Sequence, residues 1–237
     1  MEPVVLLVHG ANHDGWCWTP VLDRLARHGV RGRAVDLPLT SFDDDTAAVR
    51  AAVRQVADEA PVVLVAHSYG GLPASAGGHG AARFVYVAAR MPVPGESPAA
   101  LTPQWNHPQF RADWEVREDG SVVLRPVAAE LLYQLSPANL AELAMQRWRP
   151  MRSQVPSAPI PDPAWMSAPT AYVVCAQDRV VRVDAQRASA ARAGTCYEID
   201  CDHSPFFSAP DRLSRILAEQ AELATPGERP RRRPDPR

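Results

Sequence analysis

The strongest constraint on the fold is a series of short, valine-rich apolar runs with helical patterns between them. Near-continuous apolar runs are typical of parallel strands that are covered on both faces of a sheet. Their alternation with helices predicts a doubly wound α/β fold with a mostly parallel sheet. The predicted strands are residues 4–8, 33–35, 62–66, 84–88, 170–174 and 195–199. The predicted helices are residues 18–28, 46–58, 181–193 and 210–224.

The alternation of strands and helices breaks down between about residues 91 and 165. This segment holds four of the six tryptophans of the chain. Such a segment is too apolar to be a linker. Long insertions inside compact domains are usually functional. We therefore predict that residues 92–165 form a small helical cap, with one helix over 137–149. The cap is inserted between strands of a core that is formed by residues 1–91 and 166–224. Residues 225–237 are rich in arginine and proline, which predicts a disordered charged tail.

Composition limits the classes of function. The 237 residues carry a net charge of −2, so neither nucleic acid nor an anionic membrane is indicated as a partner. All 25 cationic residues are arginine, which excludes mechanisms that need a lysine. The four cysteines show no zinc-type spacing, so no metal is expected. We expect them to be buried free thiols in a reducing compartment. The sequence shows no signal-peptide or membrane-span pattern, so we expect a cytoplasmic protein. Its expected partner is a small-molecule substrate, and a homodimer is left open.

Residues 62–71, VVLVAHSYGG, combine an apolar strand with a serine that is flanked by small residues. A nucleophilic serine on a sharp turn from strand to helix needs small residues two positions before and after it, because these positions approach each other and the neighbouring strand. Ala66 and Gly70 meet that requirement around Ser68. The stretch therefore predicts that Ser68 is a nucleophile rather than part of an ordinary Ser-Gly turn.

A serine nucleophile needs a base, and the base needs a third group that orients it. His203 lies just beyond the last predicted strand, residues 195–199. Asp178 lies on the loop after the preceding predicted strand, residues 170–174. Asp202 is the rival acid, but its side chain is expected to diverge from the imidazole of the residue next to it. We predict a triad of Ser68, His203 and Asp178, with Asp202 as the alternative acid.

The tetrahedral oxyanion formed by attack on a carbonyl needs two backbone N–H donors. Tyr69, the residue after the nucleophile, is predicted to supply one of them. Ala11, in the loop after the first strand, is predicted to supply the other, with Asn12 as the alternative. Gly10 allows this loop to turn in toward the serine.

Several polar and aromatic residues are candidates for contact with a substrate. The predicted substrate-binding residues are Asn12, His13, Trp105, Trp148 and Trp165. His13 is equally compatible with capping the first helix, and some of the cap tryptophans are expected to hold the cap to the core instead. His9 and His67 are expected to order their surroundings rather than transfer protons.

The chain resembles the α/β-hydrolases and, more narrowly, the branch of plant methyl esterases, hydroxynitrile lyases and their bacterial relatives. The matching stretches are HGA at 9–11, WCW at 16–18, DLP at 36–38, HSYGG at 67–71, VAARMP at 87–92, LSP at 135–137 and DHSPFF at 202–207. The resemblance implies the fold, the triad, a cap and the absence of a cofactor. The lyase branch carries a hydroxyl residue at the position of Gly10 and a lysine in the cap, and this chain has neither, so cyanohydrin chemistry is disfavoured.

The leading interpretation is a serine carboxylesterase that hydrolyses a small to medium apolar ester through an acyl-enzyme. A second interpretation keeps the triad but uses it for a cyclisation, an elimination (lyase) or an intramolecular acyl transfer on a biosynthetic, polyketide-like intermediate. A third is a non-catalytic protein that binds small molecules. The sequence specifies neither the acyl group nor the alcohol.

Overall fold

The computed structural model describes residues 1–225, and its centre is a sheet of six parallel strands in the order β2-β1-β3-β4-β7-β8. These strands are β1 (Val4–Val8), β2 (Arg31–Val35), β3 (Val62–His67), β4 (Arg83–Val87), β7 (Thr170–Cys175) and β8 (Thr195–Ile199), while β5 (Trp114–Val116) and β6 (Val122–Leu124) form a separate antiparallel pair. All six predicted strands are present in the sheet, with ends within two residues. The predicted α/β class with a mostly parallel sheet is confirmed.

Helices cover both faces of the sheet. One face carries α1 (Thr19–Arg27), α9 (Pro205–Ser208) and α10 (Pro210–Glu222), and the other carries α2 (Phe42–Ala57), α3 (Gly71–Gly77) and α8 (Val183–Ala190). Successive strand residues point to opposite faces. In β1, Val5 and Leu7 therefore pack in the α1/α10 layer, whereas Leu6 and Val8 pack in the other layer.

Two helices begin two or more residues away from their predicted first residues, for local reasons. Helix α2 begins at Phe42 rather than at residue 46, because Ser41 caps it: the Asp44 N–H donates to Ser41 Oγ at 3.0 Å. Three aspartates in the first turn also suit the positive end of the helix dipole. Helix α8 starts two residues later than predicted, because Val181 pairs with Asn106 and the Arg182 N–H donates to the Trp105 carbonyl, which keeps these two residues extended.

The segment between β4 and β7 is more mixed than the helical cap that the sequence predicts. It contains α4 (Thr102–Trp105), α5 (Pro108–Ala112), α6 (Ala129–Leu132) and α7 (Ala138–Gln146), and also the β5–β6 hairpin. Three-residue strands are too short to show a period of two, which is why the hairpin was not predicted. Its turn contains Gly120 at φ +77°, a conformation that favours glycine.

The chain segment that follows α4 is tied to the loop after β7. Asn106 and Val181 form an isolated antiparallel bridge, and the His107 N–H donates to the Val180 carbonyl at 2.9 Å. The division into a core and a separate cap over residues 92–165 stays a prediction. Except for Thr225, the predicted tail lies outside the described residues.

Three further findings bear on the class of protein. None of the helices in residues 1–225 has the length and apolar content that crossing a membrane requires. Within the same residues, no cluster of three or more His, Cys, Asp or Glu side chains is placed to hold a metal ion. Cys17, Cys175 and Cys201 are buried free thiols, but Cys196 is exposed because it lies on the edge strand β8, which corrects the expectation that all four are buried.

Candidate active site

Ser68 lies on a strained turn at the carboxyl end of β3. Its φ of +53° is in the left-handed region, which a residue with a side chain rarely adopts. The neighbouring glycines have no room for a side chain: a Cβ on Gly70 would lie 2.4 Å from the His9 carbonyl oxygen, and one on Gly71 would lie 2.1 Å from the Arg90 carbonyl oxygen. The backbone therefore needs the small residues that follow the serine.

The Ser68 hydroxyl is joined through His203 to Asp178. Ser68 Oγ lies 3.1 Å from His203 Nε2, and His203 Nδ1 lies 2.7 Å from Asp178 Oδ2. A carboxylate only accepts hydrogen bonds, so Nδ1 carries the ring proton and Nε2 is left as the acceptor for the serine hydroxyl. Both His203 and Asp178 are buried. This arrangement is chemically suited to removing a proton from Ser68.

The Asp178 carboxylate has a hydrogen bond for each of its lone pairs. Oδ1 accepts the N–H groups of Val180 and Val181 at 2.7 and 2.9 Å. Oδ2 accepts His203 Nδ1 and also Gln186 Nε2, the latter at 2.8 Å. Sequence reasoning missed Gln186, which is fully buried on α8. A polar residue on the buried side of a helix is the signal that could have found it.

Asp202, the rival acid, is fully buried but makes no hydrogen bond to the His203 ring. Its two oxygens accept four hydrogen bonds of 2.7 to 2.9 Å: one from its own loop, one from the last residue of α9 and two from the segment between β4 and β7. The donors are the N–H groups of Leu135 and Ser204 and the hydroxyls of Ser136 and Ser208. The structure therefore brings Asp178, and not Asp202, to the imidazole.

The two predicted oxyanion donors lie on turns beside the serine. Tyr69 is the second residue of a 3₁₀ turn, Ser68–Gly70, and the first N–H groups of a helical turn have no partner inside it. The Ala11 N–H makes no hydrogen bond within residues 1–225. The loop that carries Ala11 touches the serine, because a Cβ on Gly10 would lie 3.0 Å from Ser68 Cβ. The Tyr69 hydroxyl is anchored by the buried Asp45, to which it donates at 2.7 Å.

The model of the alpha/beta hydrolase family matches residues 5–216 of the chain. The chain belongs to the alpha/beta hydrolase family. The predicted fold family is thereby confirmed.

Individual members of the alpha/beta hydrolase family align over nearly the whole chain. Methylesterase 7 of Arabidopsis thaliana is 30% identical, and Methylesterase 3 of the same plant is 29% identical; each alignment covers 92% of this chain and 95% of the relative. A solved structure of a methylesterase from Arabidopsis superposes with a TM-score of 0.76 at 24% identity, covering 93% of this chain and 99% of that one. The matches confirm the predicted resemblance to the plant methyl esterase branch and agree with the predicted carboxylic ester hydrolase.

His13 and Trp148 are joined through Tyr133 in this alpha/beta hydrolase. His13 Nδ1–H donates to the Ala11 carbonyl at 2.8 Å, so Nε2 accepts from the Tyr133 hydroxyl at 2.7 Å. Trp148 Nε1–H donates to the same hydroxyl at 2.9 Å. Burial lowers the pKa of His13 to about 4, so the ring is neutral at pH 7. His13 does not cap the first helical turn, where Asp14 accepts the Trp16 N–H instead.

Of the other three predicted substrate-binding residues, Asn12 and Trp165 make structural contacts, whereas Trp105 lines a separate cavity. The Asn12 amide donates to the carbonyls of Val122 and Arg149 at 3.0 and 2.9 Å, which ties the loop after β1 to the segment between β4 and β7. Trp165 packs in the α2/α3 layer and donates to a backbone carbonyl, that of Pro92, at 2.8 Å. The lining of the cavity that contains Trp105 does not include Ser68. Asn12 and Trp165 bond to residues far away in the sequence, and no local sequence pattern reveals such contacts.

His9 and His67 order the backbone around the site. His9 Nδ1–H donates to the Gly10 carbonyl at 2.8 Å, and its Nε2 accepts the Leu37 N–H at 2.9 Å. His67 Nε2–H donates to the His203 carbonyl at 2.8 Å, which fixes the backbone of the base. Burial lowers the pKa of both His9 and His67, so both rings are held neutral.

Proposed function

We propose that the chain is a serine carboxylesterase in which Ser68 is the nucleophile, His203 the base and Asp178 the group that orients the base. The observation that carries this proposal is the hydrogen-bonded line from Ser68 Oγ through the imidazole to Asp178 Oδ2, with distances of 3.1 and 2.7 Å. The strained backbone of Ser68 and the full set of hydrogen bonds around Asp178 support the same roles.

The proposed reaction follows from this geometry. Ser68 Oγ attacks the ester carbonyl carbon while His203 Nε2 takes the hydroxyl proton, and Asp178 stabilises the imidazolium that forms. The N–H groups of Tyr69 and Ala11 donate to the tetrahedral oxyanion, each contributing on the order of 3 kcal/mol. His203 then gives the proton to the leaving alcohol. Water, activated by the same imidazole, releases the acid from the acyl-enzyme and restores Ser68.

A small to medium apolar ester is the proposed substrate, and His13 and Trp148, which are linked through the Tyr133 hydroxyl, are proposed to contact it. Aromatic rings lie close to the base: the His67 ring is 4.7 Å from the His203 ring and 5.1 Å from the Phe206 ring. The names of the two plant relatives, both methylesterases, support a small alcohol group.

The space around Gly10 favours ester hydrolysis over the chemistry of the lyase branch. A Cβ at this position would lie 3.0 Å both from Ser68 Cβ and from His67 Nδ1. A hydroxyl-bearing residue there would press against the nucleophile unless both neighbours moved.

The test is a panel of p-nitrophenyl esters of rising acyl length, assayed with the full chain and with Ser68→Ala. We expect turnover of the shorter esters, and no turnover above background in Ser68→Ala with an unchanged circular dichroism spectrum. Ser157→Ala, at an exposed position, is the matched control and should retain full activity. Unchanged hydrolysis in Ser68→Ala would remove the assignment of the nucleophile.

Labelling with a fluorophosphonate separates this proposal from the two competing functions. Labelled Ser68 without hydrolysis of any ester in the panel points to a triad that performs a cyclisation, an elimination or an acyl transfer. In that case the products together contain all atoms of the substrate and no atoms from water. Tight binding of a small molecule without labelling points to a non-catalytic binding protein.

A further inference from the structure

A cavity of about 540 Å³, termed here the Arg90 cavity, lies between the start of α3, the loop after β4, α4 and α8. Its lining does not include Ser68, Tyr69 or His203, so it is not the site described above. Most of its wall is apolar, with Leu72, Met91, Pro98, Leu101, Trp105 and Ala188 among the lining residues. A volume of several hundred Å³ is typical of cavities that hold small organic molecules.

Five charged residues line the Arg90 cavity, and four of them form two ion pairs. Arg182 pairs with Asp184 at 2.9 Å, and Arg192 pairs with Glu96 at 2.8 Å. Arg90 is the fifth, and no carboxylate lies within 4.0 Å of its guanidinium in residues 1–225. The residue is nevertheless only 7% exposed. The cavity therefore contains a buried positive charge that the described chain does not neutralise.

The contacts of Arg90 hold its guanidinium in place without supplying an opposite charge. It donates from Nη1 to the Pro98 carbonyl at 2.8 Å and from Nη2 to Thr102 Oγ1 at 3.0 Å, and it lies over the Trp105 ring at 5.5 Å. Its Nε–H donates to no acceptor within residues 1–225, and the Nε atom is accessible to solvent. Burial lowers the pKa of Arg90 to about 10, so it remains charged at pH 7.

We propose that the Arg90 cavity binds a small carboxylic acid with an apolar body, the carboxylate on the Arg90 guanidinium and the body against the apolar wall. A guanidinium with free N–H donors forms strong, charge-assisted hydrogen bonds to a carboxylate. A buried cation is costly without such a partner, which favours an anion over a neutral ligand. The apolar wall favours an organic acid over an inorganic anion. This binding site is additional to the proposed esterase function and does not depend on it.

Calorimetric titration of the full-length Ser68→Ala variant tests the proposal without turnover. The probes are phenylacetate and octanoate, and the neutral amides of the same two acids are the matched controls. We expect at least one acid to bind with a Kd below about 1 mM. Its amide should bind at least about tenfold more weakly, because it lacks the charge that Arg90 recognises. Equal affinity of the acid and its amide, or no binding of either acid, would overturn the proposal.

Two substitutions locate the bound acid. Arg90→Gln should weaken binding about tenfold or more through loss of the charge-assisted bonds. Ala188→Trp fills the cavity from an exposed position on α8 and should weaken binding even if Arg90→Gln does not fold. Arg215→Gln, on α10 and outside the lining, should leave the affinity unchanged. Wild-type affinity in Ala188→Trp places the acid elsewhere and contradicts the assignment.

A final arm separates the Arg90 cavity from the candidate active site. Wild-type protein labelled on Ser68 with a fluorophosphonate should bind the acid within about twofold of the unlabelled Ser68→Ala variant. Loss of binding on labelling would mean that the acid occupies the candidate active site, which overturns the proposal. If Ser68 is not labelled at all, the proposed nucleophile is in doubt, while the titrations of Arg90→Gln and Ala188→Trp still decide the cavity.

Discussion

The loops after β7 and β8 each contain a buried aspartate with four hydrogen bonds, yet the two aspartates serve different parts of the molecule. Asp178 directs one oxygen to His203 Nδ1, and its other three donors belong to its own loop and to α8. Asp202 adjoins His203 in sequence, but its donors belong to its own loop, to α9 and to the segment between β4 and β7. The direction in which a loop presents its side chain therefore decides which carboxylate contacts the imidazole.

The largest expected effect on turnover comes from a substitution at Asp178. In Asp178→Asn, the new amide can donate to His203 Nδ1, which favours the tautomer that no longer accepts the Ser68 proton at Nε2. We expect kcat to fall by roughly 10⁴-fold, as for an equivalent change in another serine hydrolase. The measurement is turnover of the best p-nitrophenyl ester, with circular dichroism to check the fold. A kcat within about tenfold of wild type would contradict the assigned role.

The same substitution at Asp202 should act on stability instead. In Asp202→Asn, one oxygen becomes an NH₂ group that faces N–H and O–H donors, so buried hydrogen bonds are lost. We expect the free energy of unfolding to fall by about 1–3 kcal/mol. The value of kcat should change by less than about tenfold, because the imidazole keeps its partner. Urea unfolding and turnover together check this. A loss of kcat as large as that of Asp178→Asn at unchanged stability would reverse the comparison.

The pH dependence of stability tests a second attachment of the segment that Asp202 binds. Asp202 accepts hydrogen bonds from Leu135 and Ser136, and His13 accepts one from the neighbouring Tyr133. Burial lowers the pKa of His13 to about 4 in the fold, from an ordinary value of 6.5. The unfolded chain therefore binds more protons below pH 6.5, and stability is lost as the pH falls toward 4. From pH 7 to 5, His13 should account for a loss of about 2 kcal/mol in the free energy of unfolding.

Urea unfolding of wild type and His13→Gln at pH 7 and pH 5 measures this contribution. His13→Gln should be less stable than wild type at pH 7 but should lose less stability on acidification. His28→Gln, at an exposed position after α1, is the control. Equal losses in wild type and His13→Gln would show that this ring is not held neutral in the fold.

The sequence was most informative where residues follow strands. Ser68, Asp178 and His203 could be placed together because the carboxyl ends of parallel strands meet at one edge of a sheet, and the apolar runs mark those ends. The residues that hold them could not be predicted in this way. Gln186 reaches its partner across a loop, and Asn12 bonds to carbonyls that are 110 and 137 residues away. Such contacts have no period in the sequence and form only when the fold brings distant segments together.

The smallest expected effects come from removing one donor from each carboxylate. Gln186→Leu takes a hydrogen bond from Asp178 Oδ2 and leaves the Cys175 N–H unpaired. We expect kcat to fall about tenfold with little change in KM, because a less firmly held carboxylate orients His203 less well. Gln186→Glu, which restores the length but not the donor, should not rescue kcat. A loss of stability with unchanged kcat would make Gln186 a structural residue only.

Ser136→Ala is the matched change at the other carboxylate, because it removes a single donor at 2.9 Å from Asp202 Oδ2. The remaining three donors keep Asp202 in place, so we expect the free energy of unfolding to fall by about 1 kcal/mol. Since Asp202 makes no hydrogen bond to the imidazole, kcat should stay within about twofold of wild type. If Ser136→Ala lowered kcat as much as Gln186→Leu, the two carboxylates would be equivalent supports of His203, and the distinction between the loops would not hold.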